Sequence, residues 1–246
     1  MSEYITDRSV SVVLPPYNEE ESIVECVSKA LFCLKKYTPK FEIIIVDDGS
    51  KDQTYTLVQK IQSESPKQIK VIRHNSNQGY GASLNDGFLA ACGDYVFYTD
   101  SDNQFDISEL KYFIPHMDSY DIVAGFRIYR YDSVLRCLLS WIYNRIVSLL
   151  FNIRLRDIDC AFKLFKREIF NHLKIVSKDF FVNAEIIGKA QRMGYKIYQK
   201  GVRHYPRLHG HTTVRPSDIP KTLYRIVSLY TEVLRTKKLS EESVEN

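Results

Sequence analysis

The chain has no uninterrupted apolar run approaching the roughly 18 residues that a membrane-spanning helix requires. It has no excess of one charge: 34 Lys and Arg stand against 30 Asp and Glu, and a net +4 is too small to argue for nucleic acid. Its five cysteines, Cys26, Cys33, Cys92, Cys137 and Cys160, are odd in number and lack zinc-like spacing, which excludes a disulfide framework and reads as buried thiols in a reducing compartment. The opening residues MSEYITDRS have neither a basic nor an apolar region, so a secretory signal is not expected. Glycine-rich phosphate loops, internal repeats and low-complexity tracts are also missing. The 246 residues are 44% hydrophobic and 26% charged, enough for one substantial core and too ordinary a balance for disorder.

Apolar runs and helical patterns alternate through the first half. VSVVLP (10–15), FEIIIV (41–46), IKVIRH (69–74), Tyr95–Thr99 and YDIVAG (120–125) read as strands, the first, second and fourth of them buried. Helical spacing follows the first in NEEESIVECVSKALFCLKK, with Asn18 as capping residue and Ile23, Val27, Ala30, Leu31 and Leu34 on one face. Further helices are expected from Thr54 to Ile61 and in GYGASLNDGFLAAC. Strands this apolar, separated by helices, predict a mostly parallel sheet covered on both faces, an α/β fold of Rossmann-like type.

In such sheets ligands sit beyond the carboxyl ends of the strands. Three polar clusters follow strand ends here: Pro15 to Glu19, Asp47-Asp48-Gly49-Ser50, and Asp100 to Gln104. Alternate residues share a face of an extended chain, so Asp100 and Asp102 can point into one crevice. Two close anions repel unless a cation compensates. A hard divalent ion, Mg²⁺ or Mn²⁺, accepts oxygen ligands and bridges carboxylates to substrate phosphates, and Gln104 offers a further amide oxygen. Each cluster taken singly also reads as a turn or a helix cap, with Asp106-Ile107-Ser108-Glu109 as a helix start.

Together, LPPYNEEESI, EIIIVDDGSKDQT, NQGYGASLNDGF and DYVFYTDSDNQFD resemble the inverting GT-A glycosyltransferases of family 2. VAGFR (123–127), LRDIDCAFKLFKRE (155–168) and HYPRLHGHTT (204–213) are similar to the polyprenol-phosphate sugar transferases within it. The resemblance implies a nucleotide-diphosphosugar donor, UDP- or GDP-linked. Pro15, Tyr17 and Glu19 would border its nucleoside, Val46 and Asp48 its base or ribose. Asp100, Ser101 and Asp102 would hold diphosphate and metal, with Gln104 as an added ligand. Arg127 and Arg207 would neutralise phosphates, which suits the arginine fork, and Asp157 would position the acceptor or cap a following helix. Asp159-Cys160-Ala161-Phe162 and Thr213 depart from the dolichol-linked mannosyltransferase pattern, toward the undecaprenyl-like branch. A polyprenyl phosphate is already anionic and needs no strong base; a glycan hydroxyl acceptor would need one. A catalytically inactive sugar-nucleotide-binding module is the alternative from another class.

The expected organisation is a catalytic domain over 1–215, a second amphipathic helix over 216–238 and a flexible acidic tail over 239–246. Within the catalytic domain, 134–153 reads as an amphipathic helix with a narrow polar stripe of Ser133, Arg136, Ser140, Asn144 and Ser148. Its wide apolar face, with Trp141 and flanking Arg127, Arg130, Arg136 and Arg145, fits the headgroup zone of a membrane; burial in the core or in a dimer interface is the other reading. The expected location is cytoplasmic, peripheral on the inner membrane face, alone or recruited by a membrane-spanning partner.

Overall fold

The computed structural model describes residues 4–129, 134–151, 153, 155–206 and 229–236, and within 134–151 the side chains from Ser140 onward except Tyr143. Seven strands form one sheet in the order β3-β2-β1-β4-β6-β5-β7. They are β1 (Val10–Leu14), β2 (Phe41–Asp47), β3 (Ile69–Arg73), β4 (Tyr95–Thr99), β5 (Ile122–Arg127), β6 (Phe162–Lys166) and β7 (Ile197–Val202). All neighbours pair in parallel except at β6, which runs antiparallel between β4 and β5. Ile43 to Val46 are consecutive and wholly buried, so both faces of β2 are covered, as its unbroken apolar run requires.

The helices are α1 (Ile23–Tyr37), α2 (Thr54–Glu64), α3 (Tyr80–Ala90), α4 (Val134–Phe151), α5 (Ile169–His172), α6 (Val182–Met193) and α7 (229–235). Between β4 and β5 the chain makes two 3-10 helices, Ile107–Tyr112 and Ile114–Asp118, the first capped by Asp106, whose carboxylate accepts from the Ser108 amide at 2.9 Å. Among the described residues no helix is long and apolar enough to cross a membrane.

Four expectations need correction. The helix after β1 starts at Ile23, four residues past its expected start: Asn18 does not cap it but takes a left-handed conformation (φ 55°) and accepts from the Lys51 amide at 2.8 Å. No helix follows Asp157; the next element is β6. Cys92 is exposed, whereas Cys26, Cys33 and Cys160 are buried as free thiols. Strands β6 and β7 have no counterpart in the sequence reading. Arg207, Thr213 and the 239–246 tail lie outside the described residues, as does most of 216–238.

Candidate active site

The chain steps outward from β1 to β2 and β3, and then α3 carries it back to β4 on the other side of β1. Connections leaving the carboxyl ends of β1 and β4 therefore diverge, and the crevice between them is where ligands of such sheets bind. Val13 pairs with Tyr98, so two residues on, Pro15 stands level with Asp100. Strands β5 and β7 run the same way, and β6 begins on that rim. Arg127, Asp157 and the segment after β7 thus reach it too.

Local backbone conformation fits the loops to this edge. Of the five described residues with positive φ, four lie one each in the loops after β1 to β4: Asn18, Gly49, Gly79 and Asn103. Asn tolerates the left-handed region because its short polar side chain bonds locally, and glycine has no Cβ to clash. At Gly79 (φ 103°) a Cβ would sit 2.2 Å from the Lys178 carbonyl oxygen.

Main-chain and side-chain hydrogen bonds tie the loops together. The Asp48 amide donates to the Pro16 carbonyl (3.1 Å), the Asn18 amide to Ser50 Oγ (3.0 Å) and the Glu19 amide to Thr54 Oγ1 (2.8 Å). Ser22 Oγ lies 2.8 Å from Glu19 Oε2 and 2.9 Å from the Ser101 carbonyl, and Asn103 Nδ2 donates to the Ser22 carbonyl at 3.1 Å. Loops after β1, β2 and β4 are thereby one unit.

At the tip of β4, the Tyr80 hydroxyl donates to Asp100 Oδ1 at 2.9 Å, and Asp102 Oδ1 accepts from the Gln104 amide at 3.0 Å. Ser101 Oγ is buried with no hydrogen-bond partner among the described residues. Burial first, and then the charge of Asp100, push the Tyr80 phenol well above its usual pKa. Burial pushes the Cys26 thiol up to about 12, and the negative charges of Asp102, Glu19 and Asp100 add to it. Carboxylates from two loops thus share one neighbourhood. Gln104 faces the chain after β7: its Nε2 donates to the Tyr205 carbonyl (3.1 Å), and its own carbonyl accepts from the Tyr205 amide (2.8 Å).

The residues expected on the nucleoside side differ in burial. Tyr17 is exposed and Pro15 and Glu19 are half-buried at the rim, but Val46 is wholly buried, leaving only its main chain for contact. The Asp48 carboxylate is buried and engaged with the protein: Oδ1 accepts from the Gln78 amide (2.8 Å) and meets His74 Nδ1 (2.7 Å), and Oδ2 accepts from the Gly79 amide (2.9 Å). On the far side of β6, Arg127 and Asp157 face each other. Nε and Nη2 of the guanidinium donate to the two carboxylate oxygens at 2.6 and 2.8 Å. Burial works against the charged guanidinium, but the hydrogen bonds and charge of Asp157 outweigh it, and the Arg127 pKa rises above its usual value. Buried Lys163 holds the loop carrying Asp157 by donating to the carbonyls of Ile158 and Cys160, and also reaches Tyr98 and Asn183. Burial lowers its pKa.

Sequence reasoning missed Ser22, His74 and Tyr80. The last had a signal, an aromatic hydroxyl between two glycines at a helix start; the other two had none without the fold.

Residues 11–174 match the model of glycosyl transferase family 2. The glycosyltransferase AglD of Haloferax volcanii is 32% identical over 92% of this chain and 36% of its own length. The undecaprenyl-phosphate 4-deoxy-4-formamido-L-arabinose transferase of Pectobacterium atrosepticum is 33% identical over 66% of this chain and 50% of its own. This chain spans about half the length of the curated relatives it matches. Among solved structures, the glucosyl-3-phosphoglycerate synthase from Mycobacterium tuberculosis in complex with Mn²⁺, UDP and glucosyl-3-phosphoglycerate superposes with a TM-score of 0.67. At 20% identity, covering 95% of this chain and 82% of that one, it is similar in fold. With a GT-A sheet and a match to the family model over most of its length, the chain belongs to glycosyl transferase family 2.

Proposed function

We propose that this chain transfers a sugar, with inversion, from a nucleotide-diphosphosugar to the phosphate of a polyprenyl lipid at the inner face of the membrane. The observation that carries the reading is the convergence of the Asp100–Gln104 turn, the Tyr17–Glu19 loop and the Arg127–Asp157 pair on one rim at the sheet's switch point. The named activities of relatives such as the arabinose transferase and the dodecaprenyl-phosphate galacturonate synthase of Rhizobium johnstonii (26% identical over 84% of this chain) support a polyprenyl phosphate acceptor.

The donor set at the β4 tip suits a divalent ion. Asp100, Asp102 and Gln104 supply oxygen alone, and the buried, unsatisfied Ser101 hydroxyl marks a polar partner still to arrive. These are hard ligands for Mg²⁺ or Mn²⁺, which when bound would stabilise charge on the departing diphosphate. The Tyr80 hydroxyl holds Asp100, and Asn103 turns the chain through a left-handed conformation directly after Asp102.

Arg127 is buried and paired, so its charge is pre-oriented; the guanidinium atoms not used by Asp157 can bind acceptor phosphate bidentately. Asp157 has both oxygens on that guanidinium, a poor arrangement for a proton-accepting base. A phosphate acceptor, which brings its own anionic nucleophile, asks nothing more of it. Helix α4 supports the membrane side of the reading, since it turns Trp141, Ile142 and Leu149 outward.

The test is transfer from a panel of UDP- and GDP-sugars to undecaprenyl phosphate with Mn²⁺ or Mg²⁺. Asp102→Ala should abolish transfer with the melting temperature unchanged. Substantial metal-dependent activity in that variant refutes the assignment, and transfer to free glycans without lipid moves it to a hydroxyl acceptor.

A further inference from the structure

We propose that His74 is the positioning residue of the donor half of the site, its ring locking Asp48, and with it the loop that presents Tyr80, between β2 and α3. The lock itself stands on geometry; only its effect on donor binding rests on the function proposed above.

His74 is the first residue past β3, and its amide donates to the Asp47 carbonyl at 2.9 Å, so its backbone is fixed to the sheet end. Its ring is 5% exposed, with Nδ1 2.7 Å from Asp48 Oδ1 and Nε2 3.0 Å from Asp86 Oδ2. Ionised carboxylates only accept, so both ring nitrogens must donate, and the ring that satisfies both partners is the imidazolium. One side chain thereby joins the ends of β2 and β3 to α3.

The lock reaches further through Asp48. The same carboxylate gathers the amides of Gln78 and Gly79, and the next residue, Tyr80, bonds Asp100. A neutral ring can donate from one nitrogen only and would turn a lone pair toward one carboxylate. The charged groups around the ring are Asp47 at the end of β2, Asp48 just past it, Arg73 from β3 and Asp86 from α3. Arg73 is directed elsewhere, over the Tyr55 ring and 3.6 Å from Asp47. Among the described residues two carboxylates therefore face the ring and no cation does. Burial lowers the His74 pKa, yet the hydrogen bonds and charges of Asp48 and Asp86 outweigh it and the net direction is up. A folded pKa above the unfolded one makes the contribution complete below the ordinary histidine value, about 6.5, and loses it as pH rises through the folded value.

The experiment compares the full chain with His74→Gln and Asp86→Asn. Asp86 is 43% exposed, so its isosteric change tests the lock even where His74→Gln fails to fold. Ring-nitrogen NMR should show wild-type His74 titrating above its ordinary value, and Asp86→Asn should lower it. With Mn²⁺ present, His74→Gln should raise the donor KM by about tenfold, the scale of one lost charge-assisted bond, and by more than it lowers kcat. Wild-type donor affinity should fall on the alkaline side of the His74 titration. A ring that titrates at or below its ordinary value, or a variant with wild-type KM at every pH, overturns the proposal. If no nucleotide-sugar binds the wild type, the donor reading fails but the lock is still decided: the melting-temperature deficit of His74→Gln should shrink as pH rises, and a flat deficit refutes it.

Discussion

Helices α1 and α4 are both amphipathic, and they divide their apolar residues differently between core and surface. In α1 the apolar residues Ile23, Val27, Ala30 and Leu34 are wholly buried, and a Lys29–Glu25 pair at 2.9 Å lies outside. In α4 the polar residue goes inward: Asn144 is buried, its Oδ1 accepting from the Ile158 amide at 2.9 Å and its Nδ2 donating to the Ser140 carbonyl. Beside it Val147 is buried and Phe151 packs on Tyr230 of α7, while Trp141 (64% exposed), Ile142 and Leu149 (81% exposed) face out with Arg145. One helix spends its apolar face on the core; the other keeps much of it for something outside. Exposed clusters of this kind mark membrane or protein contacts. The inward bond also ties α4 to the loop that carries Asp157.

The widest gap between the helices should appear in stability. Leu34→Ala removes core packing and should cost about 2–5 kcal/mol, whereas Leu149→Ala should change stability by no more than about 0.5 kcal/mol. Urea unfolding of both variants measures the contrast. A Leu149→Ala cost as large as that of Leu34→Ala would mean that a second copy already covers α4 in solution.

Asn144→Leu tests what seats α4. The change keeps the volume but leaves the buried Ile158 amide without its acceptor, a loss of about 1–3 kcal/mol. Because Ile158 adjoins Asp157, the acceptor KM should rise more than the donor KM. An unchanged melting temperature, or equal effects on both substrates, would show that apolar packing alone seats the helix.

The same contrast explains what could be read from the residues. The first five strands and the three helices among them were legible because long apolar runs and clean helical spacing need no partner to be recognised. Strand β6, FKLFK, was not, because Lys163 interrupts the apolar pattern and its burial depends on carbonyls and on Tyr98 and Asn183 brought in from other elements. Strand β7 is half-buried along most of its length, so IYQKGV carries little pattern. At the site, the carboxylates stood out as clustered residues after strands. His74 did not, since its partners lie 26 positions before it and 12 after. The width of the apolar face of α4 was plain, but its direction was not: a helical pattern gives the angle between faces, and only the packed neighbours choose which one turns inward.

The smallest effect is the one that names the outer contact. Phe32 on α1 is also exposed, but its ring already has the Lys36 ammonium 3.8 Å away, and Phe32→Ala should leave vesicle binding unchanged. Leu149 is not covered in this way among the described residues, and Leu149→Ala should weaken binding to vesicles of any headgroup by an amount set by lost apolar area, up to about tenfold. Arg145, exposed beside it, should act only where the lipid is anionic: Arg145→Gln should cost about 1 kcal/mol, roughly fivefold, and the difference should vanish at high salt. Flotation with neutral and anionic vesicles at two salt concentrations separates the three variants. An Arg145 effect that survives salt, or a Phe32 effect equal to that of Leu149, would remove the distinction between the helices and with it the case for lipid on α4.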